Sequence, residues 1–232
     1  MCLYYVIFKK EKLMKKTPIY FVPGLAAGPE IFENLEFDKE KYELHYLKWL
    51  TPLALEETIS NYAMRLCEEI KSEKPVLVGV SFGGIMVQEM SKFLDTKKVI
   101  IISSVKQKSE LPKKFHLAKF TKAYKLFPTK VVANFEDYAQ YFLGKSLKKR
   151  AKIYKKYLSV RSETYLNWSI SKVINWNQKK PLGNIVHIHG TKDHVFPVKN
   201  ISDCIEIKNG THVMILTKAK KISKIIDDVL TC

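Results

Sequence analysis

Short apolar runs alternate along the chain with longer stretches in which apolar residues recur about once per helical turn. The run at 76–80 contains no polar side chain and follows Pro75, which is typical of a strand buried on both faces. Strands separated by helices favour the α/β class, with a mostly parallel sheet of about six strands flanked by helices. The pattern predicts strands at 19–22, 43–47, 76–80, 98–103, 184–189 and 204–207, and helices near 55–70, 85–94 and 217–230.

About eighty residues between the fourth and fifth predicted strands break this rhythm. Their pattern indicates helices, and aromatic residues occur throughout them. A structureless loop of this length would be unusual in a compact domain. Residues 105–183 are therefore predicted to form a helical lid, inserted after the fourth core strand of a single domain that spans 1–232.

The first residues of the chain, 1–13, lie outside this alternation. Their apolar run, at 3–8, is too short for the core of a signal peptide and for a bilayer span. No other run approaches the length of a transmembrane helix. Residues 1–13 are therefore predicted to be an extra edge strand, or an extension that translation from Met14 would omit.

Charge is distributed unevenly between the predicted lid and the rest of the chain. The net charge is +17, and 37 of the 40 basic residues are lysines. Residues 105–184 carry 19 basic and 4 acidic side chains, whereas the remainder carries a net charge of only +2. A lysine bias of the whole genome with a solvated surface is one interpretation, but it would spread lysine more evenly; the alternative is a lid that attracts anionic substrates or an anionic membrane surface. The scarcity of arginine and the lack of a recognised base-reading motif argue against nucleic-acid binding.

The four cysteines form neither a CxxC pair nor any spacing typical of metal ligands. They also show no disulfide framework of the kind that stabilises small secreted domains. We therefore expect a cytoplasmic protein with no bound metal. The cysteines are Cys2, Cys67, Cys204 and Cys232.

A serine directly follows the buried strand at 76–80. Ser81 is the central residue of Gly79-Val80-Ser81-Phe82-Gly83, and a helical pattern begins after it. On a sharp strand-to-helix turn a serine hydroxyl projects above the sheet edge, and small residues are needed two positions before and after it. The helix N-terminus adds the positive end of a dipole there. Ser81 is the predicted nucleophile, and a glycine-rich turn with an idle serine is the alternative.

A serine hydroxyl becomes a good nucleophile when a histidine takes its proton and an acid orients that histidine. Among the six histidines, His212 lies between the last predicted strand and the last predicted helix. This places it at the carboxyl edge of a parallel sheet, where open α/β folds bind ligands. The other five are expected within strands, in the lid or in a loop: His45, His116, His187, His189 and His194.

The acid is predicted to be Asp193, which lies just past the strand at 184–189. It would share a sheet edge with the serine and the histidine, and the chain order would be Ser, Asp, His. Glu206 lies within a predicted strand and Asp203 lies in the short connector before it, so both are weaker candidates. Turn formation or helix capping is the alternative role for Asp193.

The negative oxygen that develops during acyl transfer needs two N–H groups aimed at it. One is predicted to be the backbone N–H of Phe82, directly after the nucleophile. The other is predicted to be the backbone N–H of Leu25, in the loop after the first strand, where Gly24 would allow a sharp turn. An ordinary glycine-rich turn is the alternative for that loop.

These segments together resemble the α/β-hydrolase superfamily, and the match covers most of the chain. They are Pro-Gly at 23–24, the elbow at 79–83, His-Gly-x-x-Asp-x-x-x-Pro at 189–197 and Gly-Thr-His at 210–212. The resemblance implies a serine hydrolase with the triad Ser81, Asp193 and His212. Three departures leave the subfamily unassigned: Pro-Gly replaces the common His-Gly, only 18 residues separate Asp193 from His212, and no leading hairpin is evident.

The resulting hypothesis is an enzyme without an organic cofactor that cleaves a carboxylic ester or thioester through an acyl-Ser81 intermediate. An aromatic lid would favour an apolar acyl or alcohol group in this small-molecule substrate. Two alternatives stay open. The protein could be an acyltransferase that uses the same triad, or a non-catalytic protein of this fold that binds a ligand or a partner.

Overall fold

A computed structural model describes residues 16–122 and 156–231 of the chain, and these residues contain a six-stranded sheet with helices on both faces. The strands are β1 (Thr17–Val22), β2 (Tyr42–Tyr46), β3 (Val76–Val80), β4 (Lys98–Ile102), β5 (Ile185–Gly190) and β6 (Ile205–Ile207). The α-helices are α1 (Ile59–Cys67), α2 (Phe82–Met90), α3 (Lys113–Thr121), α4 (Glu163–Asn175), α5 (Met214–Thr217) and α6 (Ala219–Thr231). Short 3₁₀ helices lie at Pro29–Phe32, Lys108–Glu110 and Val198–Asn200.

The strands are arranged in the order β2-β1-β3-β4-β5-β6, and each neighbouring pair is parallel. Because all strands run the same way, the loops that follow them emerge at one edge of the sheet. The chain moves outward from β1 to β2 and then returns to place β3 on the other side of β1. This reversal creates a topological switch point between β1 and β3, where open parallel sheets bind ligands. The structure confirms the predicted α/β class and its six strands.

The sheet is buried on both faces. Successive side chains of a strand point to opposite faces, and each face packs into its own hydrophobic core. In β1, Tyr20 and Val22 pack with residues of α1, α2 and α4, whereas Ile19 and Phe21 pack with the 3₁₀ helix Pro29–Phe32 and with α5 and α6. A strand covered on both faces is expected to be apolar throughout. The run at 76–80 follows this rule and forms β3 with the predicted bounds.

The helix bounds differ from the sequence-based prediction at both ends of α1 and α2, which end at Cys67 and Met90, and before the last helix. Helix α1 begins at Ile59 rather than near residue 55, because the Thr58 hydroxyl caps it by accepting the Asn61 N–H at 3.1 Å. Helix α2 begins directly after Ser81, earlier than predicted, and is buried along its whole length. The last predicted helix is preceded by the separate short helix α5. Periodicity finds helices well and their ends poorly, because caps decide the ends.

The segment between β4 and β5 contains helices α3 and α4 within its described parts. Its two ends are tied together by Gln178, whose side-chain N–H groups donate to the Lys106 carbonyl at 2.7 Å and to Gln88 Oε1 at 2.8 Å. The Lys108 N–H donates in return to the Gln178 carbonyl at 2.8 Å. The middle of the predicted lid, 123–155, and the predicted extension, 1–13, lie outside the described residues, so the lid at 105–183 stays a prediction.

Two further sequence-based expectations concern membranes and thiols. Within 16–122 and 156–231, every helix is too short or too polar to cross a bilayer. Cys67 and Cys204 are free thiols, and both are half-buried. Cys2 and Cys232 lie outside the described residues.

Candidate active site

Ser81 lies on the turn between β3 and α2 with φ 54° and ψ −116°. A residue with a Cβ rarely adopts positive φ, and such strain persists only where the surroundings enforce it. Three hydrogen bonds do so here. The Ser81 N–H donates to the Ile102 carbonyl at 2.9 Å, and the Ser81 carbonyl accepts the Gly84 N–H at 2.9 Å and the Ser104 hydroxyl at 2.7 Å. The serine is therefore held in the strained conformation that a nucleophile elbow requires, and it remains partly exposed.

The glycines two positions on either side of Ser81 are required by close approach of backbone. A Cβ on Gly79 would lie 2.2 Å from the Gly83 carbonyl oxygen. A Cβ on Gly83 would lie 2.2 Å from the Val22 carbonyl oxygen and 2.3 Å from that of Pro23. Gly83 therefore lets the start of α2 press against the end of β1, which brings the elbow and the predicted oxyanion loop together.

Gly24 does not have the conformational role that the sequence suggested. A Cβ at this position would meet the Ser81 Cβ and the Val80 carbonyl oxygen at 3.6 Å, which is ordinary contact. The turn is closed by the Ala27 N–H, which donates to the Gly24 carbonyl at 3.0 Å, and its left-handed residue is Ala26, with φ 63°. A turn of this kind needs positive φ at its third residue, not at its first.

The three residues predicted as a triad lie in one chain of hydrogen bonds. His212 Nε2 is 2.9 Å from Ser81 Oγ, and His212 Nδ1 is 2.9 Å from Asp193 Oδ2. A carboxylate only accepts hydrogen bonds, so Nδ1 carries the proton of the neutral ring. Nε2 is then left unprotonated and can accept the hydroxyl proton of Ser81. The arrangement can remove a proton from the serine and hold the resulting positive charge against a carboxylate.

Asp193 is buried, and its two carboxylate oxygens have different partners. Oδ1 accepts the backbone N–H groups of Val195 at 2.8 Å and Phe196 at 2.9 Å, while Oδ2 accepts His212. Burial raises the pKa of this carboxyl, but the hydrogen bonds from His212 and the Phe196 N–H outweigh burial and leave the pKa below its ordinary value. The turn-forming role considered as an alternative is thus also present, since one oxygen holds the turn and the other holds the histidine. The rival carboxylates are both exposed: Asp203 and Glu206.

Two glycines bring the Asp193 and His212 loops together. A Cβ on Gly190 would lie 2.4 Å from the Gly210 carbonyl oxygen, so the backbones touch where β5 ends. That same Gly210 carbonyl accepts the Lys192 N–H at 2.8 Å. The sequence showed both glycines as parts of motifs, but it did not show that they contact each other.

Other histidines near the site serve the structure of β5. His189 Nε2 is 2.8 Å from the Phe196 carbonyl oxygen, which can only accept, so this nitrogen carries the proton. His189 Nδ1 then accepts from His187 Nε2 at 3.0 Å. Burial, and then the neighbouring His189, lower the pKa of His187 to about 2, and burial also lowers the pKa of His189. Both rings therefore stay neutral and paired with each other. His194 is exposed, and the side chain of His116 is not among those described.

The predicted oxyanion donors lie on both sides of the switch point. The Phe82 N–H belongs to the first residue of α2, where a helix leaves the N–H without an intrahelical partner. The Leu25 N–H belongs to the turn after β1. Within the described part of the chain, neither N–H donates to a carbonyl or a side chain. That these two N–H groups bind a substrate oxygen stays a prediction.

Two residues of this region went unnoticed in the sequence. Trp49 donates its indole N–H to the Gly24 carbonyl at 3.0 Å, and Ser104 donates its hydroxyl to the Ser81 carbonyl at 2.7 Å. Each lies shortly after a strand, Trp49 after β2 and Ser104 after β4. The rule that located the triad, proximity to a strand's carboxyl end, could therefore have found them as well.

Solved structures of several enzymes share this architecture at low sequence identity. An epoxide hydrolase of Bacillus megaterium, in complex with an inhibitor, has a TM-score of 0.71 at 13% identity, and the match covers 94% of each chain. A bromoperoxidase from Bacillus anthracis has a TM-score of 0.67 at 15% identity, covering 94% of this chain and 93% of the other. An esterase from Thermogutta terrifontis has a TM-score of 0.61 at 13% identity, covering 94% and 90%.

Sequence comparison adds nothing to this structural likeness, because no family model and no curated protein matches the chain. At such low identities the likeness establishes the fold. The overlap extends over nearly the whole chain, including the single parallel sheet and the helices around it. The chain has the fold of the α/β-hydrolase superfamily, as its motifs predict.

Proposed function

We propose that this protein is a serine hydrolase that cleaves a carboxylic ester or a thioester through an acyl-Ser81 intermediate. The observation that carries the proposal is the unbroken chain of hydrogen bonds from Ser81 through His212 to Asp193, with two links of 2.9 Å. The strained elbow adds support. Residues with a Cβ that are held at positive φ, as Ser81 is, occur at functional sites more often than elsewhere.

In the proposed reaction, Ser81 Oγ attacks the acyl carbonyl carbon while His212 Nε2 takes the hydroxyl proton. Asp193 stabilises the imidazolium that forms, and the N–H groups of Phe82 and Leu25 bind the negative oxygen of the tetrahedral intermediate. The imidazolium then returns the proton to the leaving alcohol or thiol as the bond to it breaks. A water molecule attacks the acyl-enzyme with His212 again as base, which releases the acid and restores Ser81.

The electrostatics of the site favour this sequence of charges. The lowered pKa of Asp193 keeps it ionised at neutral pH, so it can hold an imidazolium. Helix α2 directs its N-terminus at the elbow, where the positive end of its dipole favours a developing negative oxygen. Both charges that appear in the transition state therefore face a fixed group of opposite sign.

The choice of an ester or thioester rests on the nucleophile and on the kinds of enzyme that share the fold. Serine hydroxyls with a histidine base are suited to acyl transfer. The structural neighbours include enzymes named esterase, carboxylesterase and lipase, which agree with an ester substrate for this chain.

A fluorophosphonate probe tests the proposal directly, because it phosphonylates an activated serine. We expect the adduct on Ser81 and hydrolysis of p-nitrophenyl esters of short and medium chain length. His212→Ala should lose both activities, whereas His45→Ala, a control on the edge strand β2, should keep them. A folded wild-type protein that neither labels at Ser81 nor turns over any of these esters would refute the proposal.

A further inference from the structure

Trp49 lies three residues beyond the end of β2, at the same sheet edge as the elbow. We infer that Trp49 is a positioning residue for the oxyanion hole, since it holds the Gly24–Leu25 peptide so that the Leu25 N–H faces the substrate oxygen. The inference rests on the proposed function and adds to it a group outside the triad and outside the two N–H donors.

The geometry of a single peptide unit carries the first step. The Gly24 carbonyl and the Leu25 N–H are the two ends of one planar unit, and no cis peptide occurs among the described residues. In a trans peptide these two groups point in opposite directions. The Trp49 indole N–H donates to the Gly24 carbonyl oxygen at 3.0 Å. By holding the oxygen, Trp49 fixes the direction of the Leu25 N–H.

A second donor on the same oxygen strengthens the arrangement. The Ala27 N–H reaches the Gly24 carbonyl at 3.0 Å and closes the turn. Two donors polarise one peptide more than either alone, by an amount estimated at about 10–30% per bond. The Leu25 N–H at the other end of that unit becomes a stronger donor as a result. Loss of the indole N–H would leave only the turn bond to orient the peptide.

Trp49 also contacts the residue that provides the other oxyanion donor. Its ring stacks on the Phe82 ring with centroids 5.1 Å apart and an angle of 21°. On its other sides it meets Tyr165 of α4 at 5.5 Å and Tyr62 of α1 at 6.2 Å. A ring held by three aromatic neighbours cannot swing away from the turn without losing packing. Trp49 therefore links the two donors that lie on opposite sides of the switch point.

A matched control lies in the same aromatic cluster. Trp168 also donates its indole N–H to a backbone carbonyl, that of Glu57, at 2.9 Å. Its ring stacks on Tyr62 at 4.2 Å and is fully buried. Trp168 also contacts the Phe82 ring, at 6.0 Å between centroids, so Trp168→Phe removes the same kind of hydrogen bond as Trp49→Phe but from a carbonyl outside the turn at 24–27. Both variants lose an indole N–H, so a difference between their activities reports on the turn at 24–27.

The test compares Trp49→Phe and Trp168→Phe by fluorophosphonate labelling and by kcat/KM on a p-nitrophenyl ester. Removal of a whole oxyanion donor costs about 10²–10³-fold in kcat, so a donor that is present but misdirected should cost about tenfold. We expect Trp49→Phe to lose about tenfold in kcat, with the same loss of affinity for a boronic acid that forms a tetrahedral adduct on Ser81. KM and the acid limb of the pH profile should not move, because the His212 contacts are untouched. Trp168→Phe should lower Tm and label at close to the wild-type rate.

Two additional measurements keep the outcome decisive. If Trp49→Phe does not fold, 3-benzothienylalanine at position 49 replaces the indole N–H by sulfur and preserves the ring shape. Hydrogen exchange of the Ala27 amide reads the turn without any chemistry at Ser81, and we expect faster exchange when the Trp49 donor is lost but not in Trp168→Phe. Wild-type labelling rate or unchanged Ala27 exchange in the position 49 variants would overturn the inference. A wild-type protein that does not react at all would instead refute the proposed function, and Ala27 exchange would still decide whether Trp49 holds the peptide.

Discussion

Replacing Asp193 with asparagine exchanges one oxygen of the side chain for an NH₂ group and keeps its shape. The structure determines which way the new amide must face. Oδ1 accepts two backbone N–H groups, from Val195 at 2.8 Å and Phe196 at 2.9 Å. Only the amide oxygen can take that place, because an NH₂ group there would face two donors. The NH₂ group must then face His212 Nδ1.

The wrong tautomer of His212 follows from this orientation. An NH₂ group donates, so Nδ1 has to accept, and the ring proton moves to Nε2. A protonated Nε2 cannot take the proton of Ser81, although every distance in the site can stay the same. Flipping the amide would restore the tautomer but would leave two buried N–H groups unpaired, at about 1–3 kcal/mol each. A total of about 2–6 kcal/mol corresponds to a loss of roughly 30-fold to 20,000-fold, at about 1.4 kcal/mol per tenfold. The same exchange in another Ser-His-Asp triad costs about 10⁴-fold, near the upper end of this range.

The assay is kcat/KM on p-nitrophenyl acetate near neutral pH, with protein concentration corrected for the folded fraction. Asp193→Asn should retain less than about a thirtieth of the wild-type value. Its thermal stability at neutral pH should fall modestly, because the charge that folding favours is lost while the amide oxygen still accepts both backbone N–H groups. Asp203→Asn is the control, because this rejected candidate is exposed and should behave as wild type. A folded Asp193→Asn variant with more than about a tenth of wild-type activity would show that Asp193 does not select the His212 tautomer.

Three further predictions use other parts of the chain. Gly83→Ala places a Cβ 2.2 Å from the Val22 carbonyl oxygen, so it should lower the free energy of unfolding in urea by about 1–3 kcal/mol and slow the labelling of Ser81. The control Gly183→Ala places a Cβ with nothing within 4 Å and should change neither quantity. Folding lowers the pKa of Asp193, so the stability that its ionised carboxylate contributes should be complete above about pH 4 and should be lost as the pH falls through the pKa of the folded protein. The urea midpoint of Asp193→Asn should therefore fall less than that of the wild type as the pH is lowered, and an equal fall would contradict this. The +15 charge of 105–184 predicts that KM for an anionic acyl thioester rises with salt more steeply than KM for a neutral ester, and equal slopes would show that the charge does not act on the substrate.

The three residues that the sequence predicts as a triad are joined by hydrogen bonds, because each follows the end of a strand in the same parallel sheet. Gly79 is required by a contact with Gly83 inside the elbow, so the motif carries that steric reason, whereas Gly83 is required by the Val22 and Pro23 carbonyls at the end of β1. His212 lies five residues beyond the end of β6 and Asp193 lies three residues beyond the end of β5, and in a parallel sheet this assigns both to the same edge. Which oxygen of the aspartate holds the turn and which holds the histidine could not be predicted, because this depends on the path of the chain after the strand.

The parts that could not be predicted depend on contacts between distant segments. Trp49 acts on Gly24 through a side chain that reaches another loop, and no spacing in the sequence marks such a contact. The left-handed residue of the turn at 24–27 is Ala26, whereas the sequence analysis assigned the sharp turn to Gly24. Alanine at positive φ is strained and gives no compositional signal, so only the closed turn shows it. The contact between Gly190 and Gly210 likewise appears only once the two loops are in place.

The site draws on every strand of the described sheet, and this follows from the sheet order. Parallel strands bring all their carboxyl ends to one edge, so the loop after each strand can contribute one group there. The central position of β3 gives its loop the predicted nucleophile, with β1 and β4 on either side, and the end of β1 and the loop after β4 both contact the elbow. Asp193 and His212 follow β5 and β6 on one flank, while Trp49, which donates to the Gly24 carbonyl, follows β2 on the other. In the proposed reaction, the groups that would transfer the proton therefore lie on one flank of Ser81, and the group that would hold the predicted oxyanion turn lies on the other. The contributions, in sheet order from β2 to β6, are Trp49, Leu25, Ser81, Ser104, Asp193 and His212.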